Sequence, residues 1–228
     1  STRTQLPNLS IGMNSFDGSL CTEKLPCDLT LFSAESCKLE GTVDLTSLPK
    51  QVQVFHIYCN KFHGSISLEC LPRTLVEIAL DGNRFSGELC FEKLPASLEI
   101  LHLNDNNFHG SVNLTSLSAA LKSLSLDKNA FSGTIDLTML PPQLVYLSVS
   151  NNKFHGDMNF SHLPETIQVL CLNSNLFSGT LTIGAIPRTL GTLRLENSTQ
   201  ADTFTIIKHI PRDFLNGDAG DGLAQLAL

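Results

Sequence analysis

A glycine returns every 23 residues through most of this chain. The series runs Gly18, Gly41, Gly64, Gly87, Gly110, Gly133, Gly156 and Gly179, without an insertion or deletion. A fixed period in the twenties predicts a solenoid in which each period is one coil, because a unit that short cannot bury its own apolar face and must stack on copies of itself. The stretch from Gly87 to Gly110 is the clearest copy. Within it Leu101 and Leu103 alternate with Ile100, His102 and Asn104, the two-residue period of a half-buried strand. One such strand per coil, stacked about 4.8 Å apart, gives a parallel sheet.

The remaining positions of the unit have separate jobs. Asn14, Asn60, Asn83, Asn106, Asn129, Asn152 and Asn175 follow the strand, with Cys37 and Ser198 in the same place in two coils. An inward asparagine must satisfy its amide, and the partners at hand are backbone groups of the adjoining coil. Two residues later Phe16, Phe62, Phe85, Phe108, Phe131, Phe154 and Phe177 form a spine, with Leu39 as the exception. The glycine then requires a positive φ or a close backbone approach. Thr42–Leu45, Ser111–Leu114 and Thr134–Leu137 alternate again and predict a second, shorter strand on the opposite wall. A Leu-Pro pair closes most turns, with Ser118 replacing the proline once. The few residues between that proline and the next leucine are expected to hold what little helix there is, as 3-10 turns.

Written out, the unit is L-x-x-L-x-L-x-x-N-x-F-x-G-x-(V/I/L)-x-(L/F)-x-x-L-P. It resembles the leucine-rich repeat consensus. Its N-x-F-x-G continuation is most similar to the plant-type and protist-type variants of that family. The resemblance implies an α/β-class solenoid that is mostly β: a right-handed superhelix with a concave parallel sheet, short second strands opposite and little helix. It also implies a protein-binding role. The expected organisation is a lead-in without a cap signal over 1–8, an array over 9–202 with eight full repeats and a degenerate ninth, and a C-terminal cap and flexible tail over 203–228. The acidic loop at 216–222 lacks the bidentate glutamate of a calcium loop.

The net charge is −7, which disfavours a sequence-independent grip on nucleic acid. No run reaches the length of a membrane span. Seven dispersed cysteines read as thiols rather than as a disulfide framework, so an intracellular setting is favoured over secretion. Sequons at Asn8, Asn113, Asn159 and Asn197 point the other way, although a chain rich in Asn, Ser and Thr produces several by chance.

Contact residues are expected where side chains leave the concave sheet. There a first column is partly apolar (Leu31, Val54, Glu77, Ile100, Ser123, Tyr146, Val169) and a third is acidic (Glu35, Tyr58, Asp81, Asn104, Asp127). The expected partner-binding set is Glu35, His56, Tyr58, Asp81, His102, Asn104, Asp127, Tyr146, Ser148 and Arg194. That mix suits a polar or basic protein surface. No catalytic group, metal or cofactor is expected. His56 and His102 lie two coils apart, about 10 Å, too far to share one zinc ion. Ser125, His102 and Asp127 are neighbours without an oxyanion hole. On the rim, Glu35/Lys38 and Asp81/Arg84 are expected to form exposed ion pairs. Two further roles fit the same sequence: a fixed subunit of a larger assembly, docked by its N-terminal edge and C-terminal tail, and an extracellular receptor or adhesion fragment.

Overall fold

The computed structural model describes residues 6–196 and the backbone of 205–208. Within them the chain winds as a solenoid with two parallel sheets of nine strands each, one on either wall. The first sheet contains Asn8–Ser10, Leu31–Ser33, Val54–His56, Glu77–Ala79, Ile100–His102, Ser123–Ser125, Tyr146–Ser148, Val169–Cys171 and Thr192–Arg194. Its register follows the sequence period. Leu101 pairs with Leu124 and Leu124 with Leu147, and all three are fully buried. Inward leucines thus stack as a continuous column from coil to coil, which is why no repeat could be stable alone.

The second sheet lies earlier in each unit than the alternation suggests. Its strands are Asp17–Ser19, Lys38–Gly41, Lys61–Gly64, Arg84–Gly87, Asn107–Gly110, Ala130–Gly133, Lys153–Asn159, Leu176–Ile183 and Thr205–Lys208. Most stop at the glycine, and only Lys153–Asn159 and Leu176–Ile183 run on through the expected segment. The difference lies in whether a neighbouring coil continues the ladder past the glycine. In three of the shorter coils a side-chain oxygen takes the amide two residues ahead: Asp44 from Thr46 (2.9 Å), Asn113 from Thr115 (3.1 Å) and Asp136 from Thr138 (2.8 Å). Asn159 takes the Ser161 amide in the same way (2.9 Å) at the end of the longer Lys153–Asn159 strand, so this turn follows the segment whether or not the segment is a strand. In the two longer strands a neighbour continues the ladder, Met158 pairing with Leu181 and Leu181 with Ile206.

The 3-10 turns also differ from expectation. They fall before the Leu-Pro pair, at Thr22–Lys24, Leu45–Ser47 and Leu114–Ser116, where Asp44 and Asn113 cap the latter two. After the proline there is a single hydrogen-bonded turn, such as Leu98 N–H to Pro95 C=O at 3.0 Å. Ser118 supports the same turn through Leu121 N–H at 3.0 Å, so the proline stiffens a geometry that it does not create.

The two walls use different registers. In the first sheet partners are 23 residues apart, whereas in the second His63 lies opposite Arg84 and Gly64 opposite Phe85, an offset of 21. Between Gly156 and Met158 the offset changes from 21 to 23. The repeat glycine stands at that change. Gly110 has φ +86°, and a Cβ there would come within 2.8 Å of the Glu88 side chain.

Polar and aromatic ladders fill the space between the walls. Asn106 donates to the carbonyls of Leu80, Leu103 and Asn104 (3.1–3.2 Å), and its oxygen accepts the Phe85 amide at 3.0 Å. Asn60, Asn83, Asn129, Asn152 and Asn175 repeat this pattern. The outside partners come from the preceding coil, and the rest from the residue's own coil. Cys37 holds the same place through Sγ–H to the Ile11 carbonyl at 3.5 Å. The spine phenylalanines from Phe62 to Phe177 are 0 % exposed, and consecutive spine rings from Phe62 to Phe154 stack 6.1–6.3 Å apart. Phe16, with no preceding coil among the described residues, is 52 % exposed. The strand Thr205–Lys208 extends the second sheet beyond Leu176–Ile183. Residues 1–5, Phe204, Ile210 and the loop and tail of 216–228, assigned above to the lead-in, cap and tail, lie outside the described residues.

Candidate functional site

The open face of the first sheet carries three columns, and the middle one is its floor. Ser33, Ala79, Ser125, Ser148 and Cys171 there are buried, interrupted by the half-buried rings of His56 and His102. Small residues and imidazoles alternate because the register is regular: His56 lies between Ser33 and Ala79, and His102 between Ala79 and Ser125. Beside each small floor residue of the first coils stands a carboxylate, giving the pairs Ser33/Glu35, Ala79/Asp81 and Ser125/Asp127.

Each of these acids is held differently. Ser33 Oγ donates to Glu35 Oε2, and chiefly this hydrogen bond holds the carboxyl below its ordinary range. Ser125 Oγ donates to Asp127 Oδ1 at 2.6 Å. Asp81 has no hydroxyl beneath it, and burial pushes its carboxyl above the usual value, against the opposing pull of its own backbone N–H and the nearby His102 and His56. None of the three pairs with Lys or Arg among the described residues, where the ion pairs are His56–Glu77, Lys93–Glu69 and Lys122–Glu99. The expected Glu35/Lys38 and Asp81/Arg84 pairs are therefore absent from the described residues. Lys38 and Arg84 begin strands of the second sheet and are exposed there, whereas both acids belong to the first wall.

The imidazoles are engaged with their neighbours. His56 Nε2 is shielded from solvent 3.0 Å from Glu77 Oε1, close enough for an ion pair but without the alignment of a hydrogen bond. The His56 ring lies 6.0 Å from that of Tyr58. His102 Nε2 lies 3.0 Å from Ser123 Oγ. Since Ser125 is bonded to Asp127 and His102 to Ser123, the three residues that resemble a hydrolytic triad in sequence are not linked as one. Among the described residues no group of three His, Cys, Asp or Glu side chains could hold a metal ion.

Of the other expected contact residues, Tyr58, Asn104 and Tyr146 are half-buried on this face, and Arg194 is exposed at its far end. Burial raises both tyrosine hydroxyls above their ordinary range. At Tyr146 the Ser148 and Ser125 hydroxyls offset part of that rise. Ser148 is only 2 % exposed and supports the face from below. Sequence reasoning missed the floor role of Ser33, Ala79 and Ser125 and the pairing of Glu77 with His56. The available signal was the small residue recurring two positions before each acid.

The sequons have a structural counterpart. Asn113 and Asn159 occupy the place held by Asp44 and Asp136 in other coils, and Asn159 Oδ1 likewise accepts the Ser161 amide at 2.9 Å. Their pattern follows from the need for a turn-capping oxygen, which Asp meets equally well. A shallow hollow on the second wall, lined by Thr134, Asp136, Asp157 and Asn159 among others, is open to solvent.

A mostly-β parallel-sheet solenoid with asparagine and phenylalanine ladders at a 23-residue period is a leucine-rich repeat protein in fold. No family profile matches the sequence, and no curated protein matches it. Solved structures do. PEPR1 with AtPEP1 is 21% identical with a TM-score of 0.69, over 88% of this chain and 32% of that one. The plant peptide hormone receptor RGFR1 in complex with RGF2 is 19% identical with a TM-score of 0.61, over 88% and 40%. A plant ice-binding protein is 20% identical with a TM-score of 0.56, over 83% and 73%. The chain thus spans about a third of the PEPR1 structure's length, and at these identities the likeness is one of fold. No helix among the described residues is long and apolar enough to cross a membrane.

Proposed function

We propose that the protein is a binding module that captures a protein or peptide partner on the open face of its first sheet. One observation carries this reading: the three columns bear carboxylates, tyrosines and half-buried aliphatic side chains, while the described surface there offers no lysine or arginine before Arg194. A face that mixes aromatic anchors with one sign of charge suits association with a partner of the opposite sign. RGFR1, a receptor of similar fold, is a peptide-binding precedent, and the ice-binding protein shows that the fold alone does not choose the ligand. The extracellular-receptor reading places the same face in a different setting, whereas the docked-subunit reading holds the chain by its N-terminal edge and C-terminal tail instead.

The test is partner capture by the full chain from its native source, comparing the unaltered protein with a Tyr58→Ala/Tyr146→Ala double variant. Both side chains project from the sheet, so the variant is expected to keep its circular dichroism spectrum and lose at least tenfold in capture. Undiminished capture by the folded variant would remove the first sheet from the binding role.

A further inference from the structure

The three carboxylates are not evenly spread over the coils. Glu35, Asp81 and Asp127 stand on alternate coils, 46 residues apart in sequence and about 10 Å apart along the solenoid axis. Each sits beside a small floor residue, and His56 or His102 rises on the coil between. The result is three notches in a row, each with a carboxylate at its edge, separated by imidazole ridges. Two of the acids are fixed in place by the serine in their own floor, which leaves their other oxygen free to accept.

Resting on the binding role proposed above, we infer that this row takes an extended, proline-rich basic peptide lying along the solenoid axis, with an Arg or Lys at every third residue entering successive notches. Spacing selects the conformation. A polyproline II chain brings every third residue to the same side after about 9.3 Å, close to the two-coil interval of about 9.6 Å. A β-strand repeats on one side after about 6.8 Å and falls out of step at the second notch. An α-helix with cations seven residues apart repeats after about 10.5 Å and drifts by roughly 2 Å across three notches. A slim chain of three-fold symmetry also turns a second ridge toward the partly apolar first column, where Val54, Ile100 and Tyr146 are half-buried. Charge complementarity favours such a cation because these acids have no Lys or Arg partner among the described residues.

The test uses the full chain and synthetic fluorescent peptides in an anisotropy titration at physiological salt. One peptide has three arginines at every third position with proline between. The others place the same three arginines at every second position, or seven apart on a helical alanine-rich host, or replace them with glutamate. The every-third peptide is expected to bind at least tenfold tighter than the others. It should lose roughly tenfold for each of Glu35→Gln, Asp81→Asn and Asp127→Asn, the scale of a charge-assisted hydrogen bond. Equal binding of the strand-spaced or helical peptide, or binding indifferent to the three substitutions, would overturn the inference. The peptide arms decide this even if one variant folds poorly. Failure of all basic peptides with Tyr58- and Tyr146-dependent partner capture intact would sink the inference and leave the binding role standing; loss of both would sink the role as well.

Discussion

Asn106 illustrates how much of this fold depends on single side chains. Its amide joins two coils through four hydrogen bonds to backbone groups, of which the Asn104 carbonyl also accepts the Gly82 amide. Phe108, two residues on, stacks between Phe85 and Phe131 and is fully buried, while Phe16, with Leu39 in the next coil and no preceding coil among the described residues, is half exposed. Phe108→Ala is therefore expected to cost about 3–5 kcal/mol in urea unfolding, and Phe16→Ala less than about 1 kcal/mol. Equal costs would mean that burial between neighbouring coils does not set what each ring contributes. This contrast was largely legible in the sequence, because spacing alone places Asn and Phe in register. The fate of Glu35 and Asp81 was not. Proximity to Lys38 and Arg84 along the chain suggested pairing, but the chain changes walls between them, and a three-residue separation on a strand-and-turn path does not bring side chains together.

Individual elements were less legible than the period. Alternation after the glycine read as a strand, and the inward positions Val43, Val112 and Ile135 are indeed buried. Burial alternates in a turn as well as in a strand, so the apolar pattern does not tell the two apart; pairing with the next coil does, and the capping role of Asp44, Asn113 and Asp136 resembled a sequon or an ordinary polar residue. The cap at Asp44 gives a pH prediction. Hydrogen bonds from the Ser47 hydroxyl first, and from Thr46, hold its carboxyl below the ordinary value of 3.8. A depressed folded-state pKa contributes stability above the unfolded-state value, and that contribution fades as pH falls through the folded-state value. Asp44→Asn keeps the cap, as Asn113 does in its own coil, and removes the charge. The unaltered protein should consequently lose more stability than Asp44→Asn when the urea midpoint is followed from neutral pH to below the aspartate range. Parallel acid limbs would show that Asp44 is not held in its charged form.

At the level of the whole molecule, stability is a sum over coils and their interfaces, and among the described residues the coil of Leu9 and Ile11 has one interface where an inner coil has two. Ile11 N–H to Ser33 C=O and Leu103 N–H to Ser125 C=O are both 2.8 Å. Bond geometry gives no reason for them to differ, but stacking does. Hydrogen exchange should release the Ile11 and Met13 amides well before those of Leu103 and Asp105. Uniform protection from end to end would require the stack to open only as one unit. The solenoid and its direction of growth followed from the repeat alone, whereas the alternate-coil notches of the candidate site needed the floor beneath the acids to be seen.

The two-residue slip between the walls sets different rules of neighbourhood on the two sides of one chain. On the first sheet a side chain meets its counterpart 23 positions away, so like faces like; on the second, in the segments that end at the glycine, it meets the residue 21 away, so Asp17 lies across from Lys38 and Glu40 from Lys61. A charge altered on that rear wall is compensated by a residue from a different place in the motif. Grafting whole periods preserves both pairings at once, and any other cut breaks one of them.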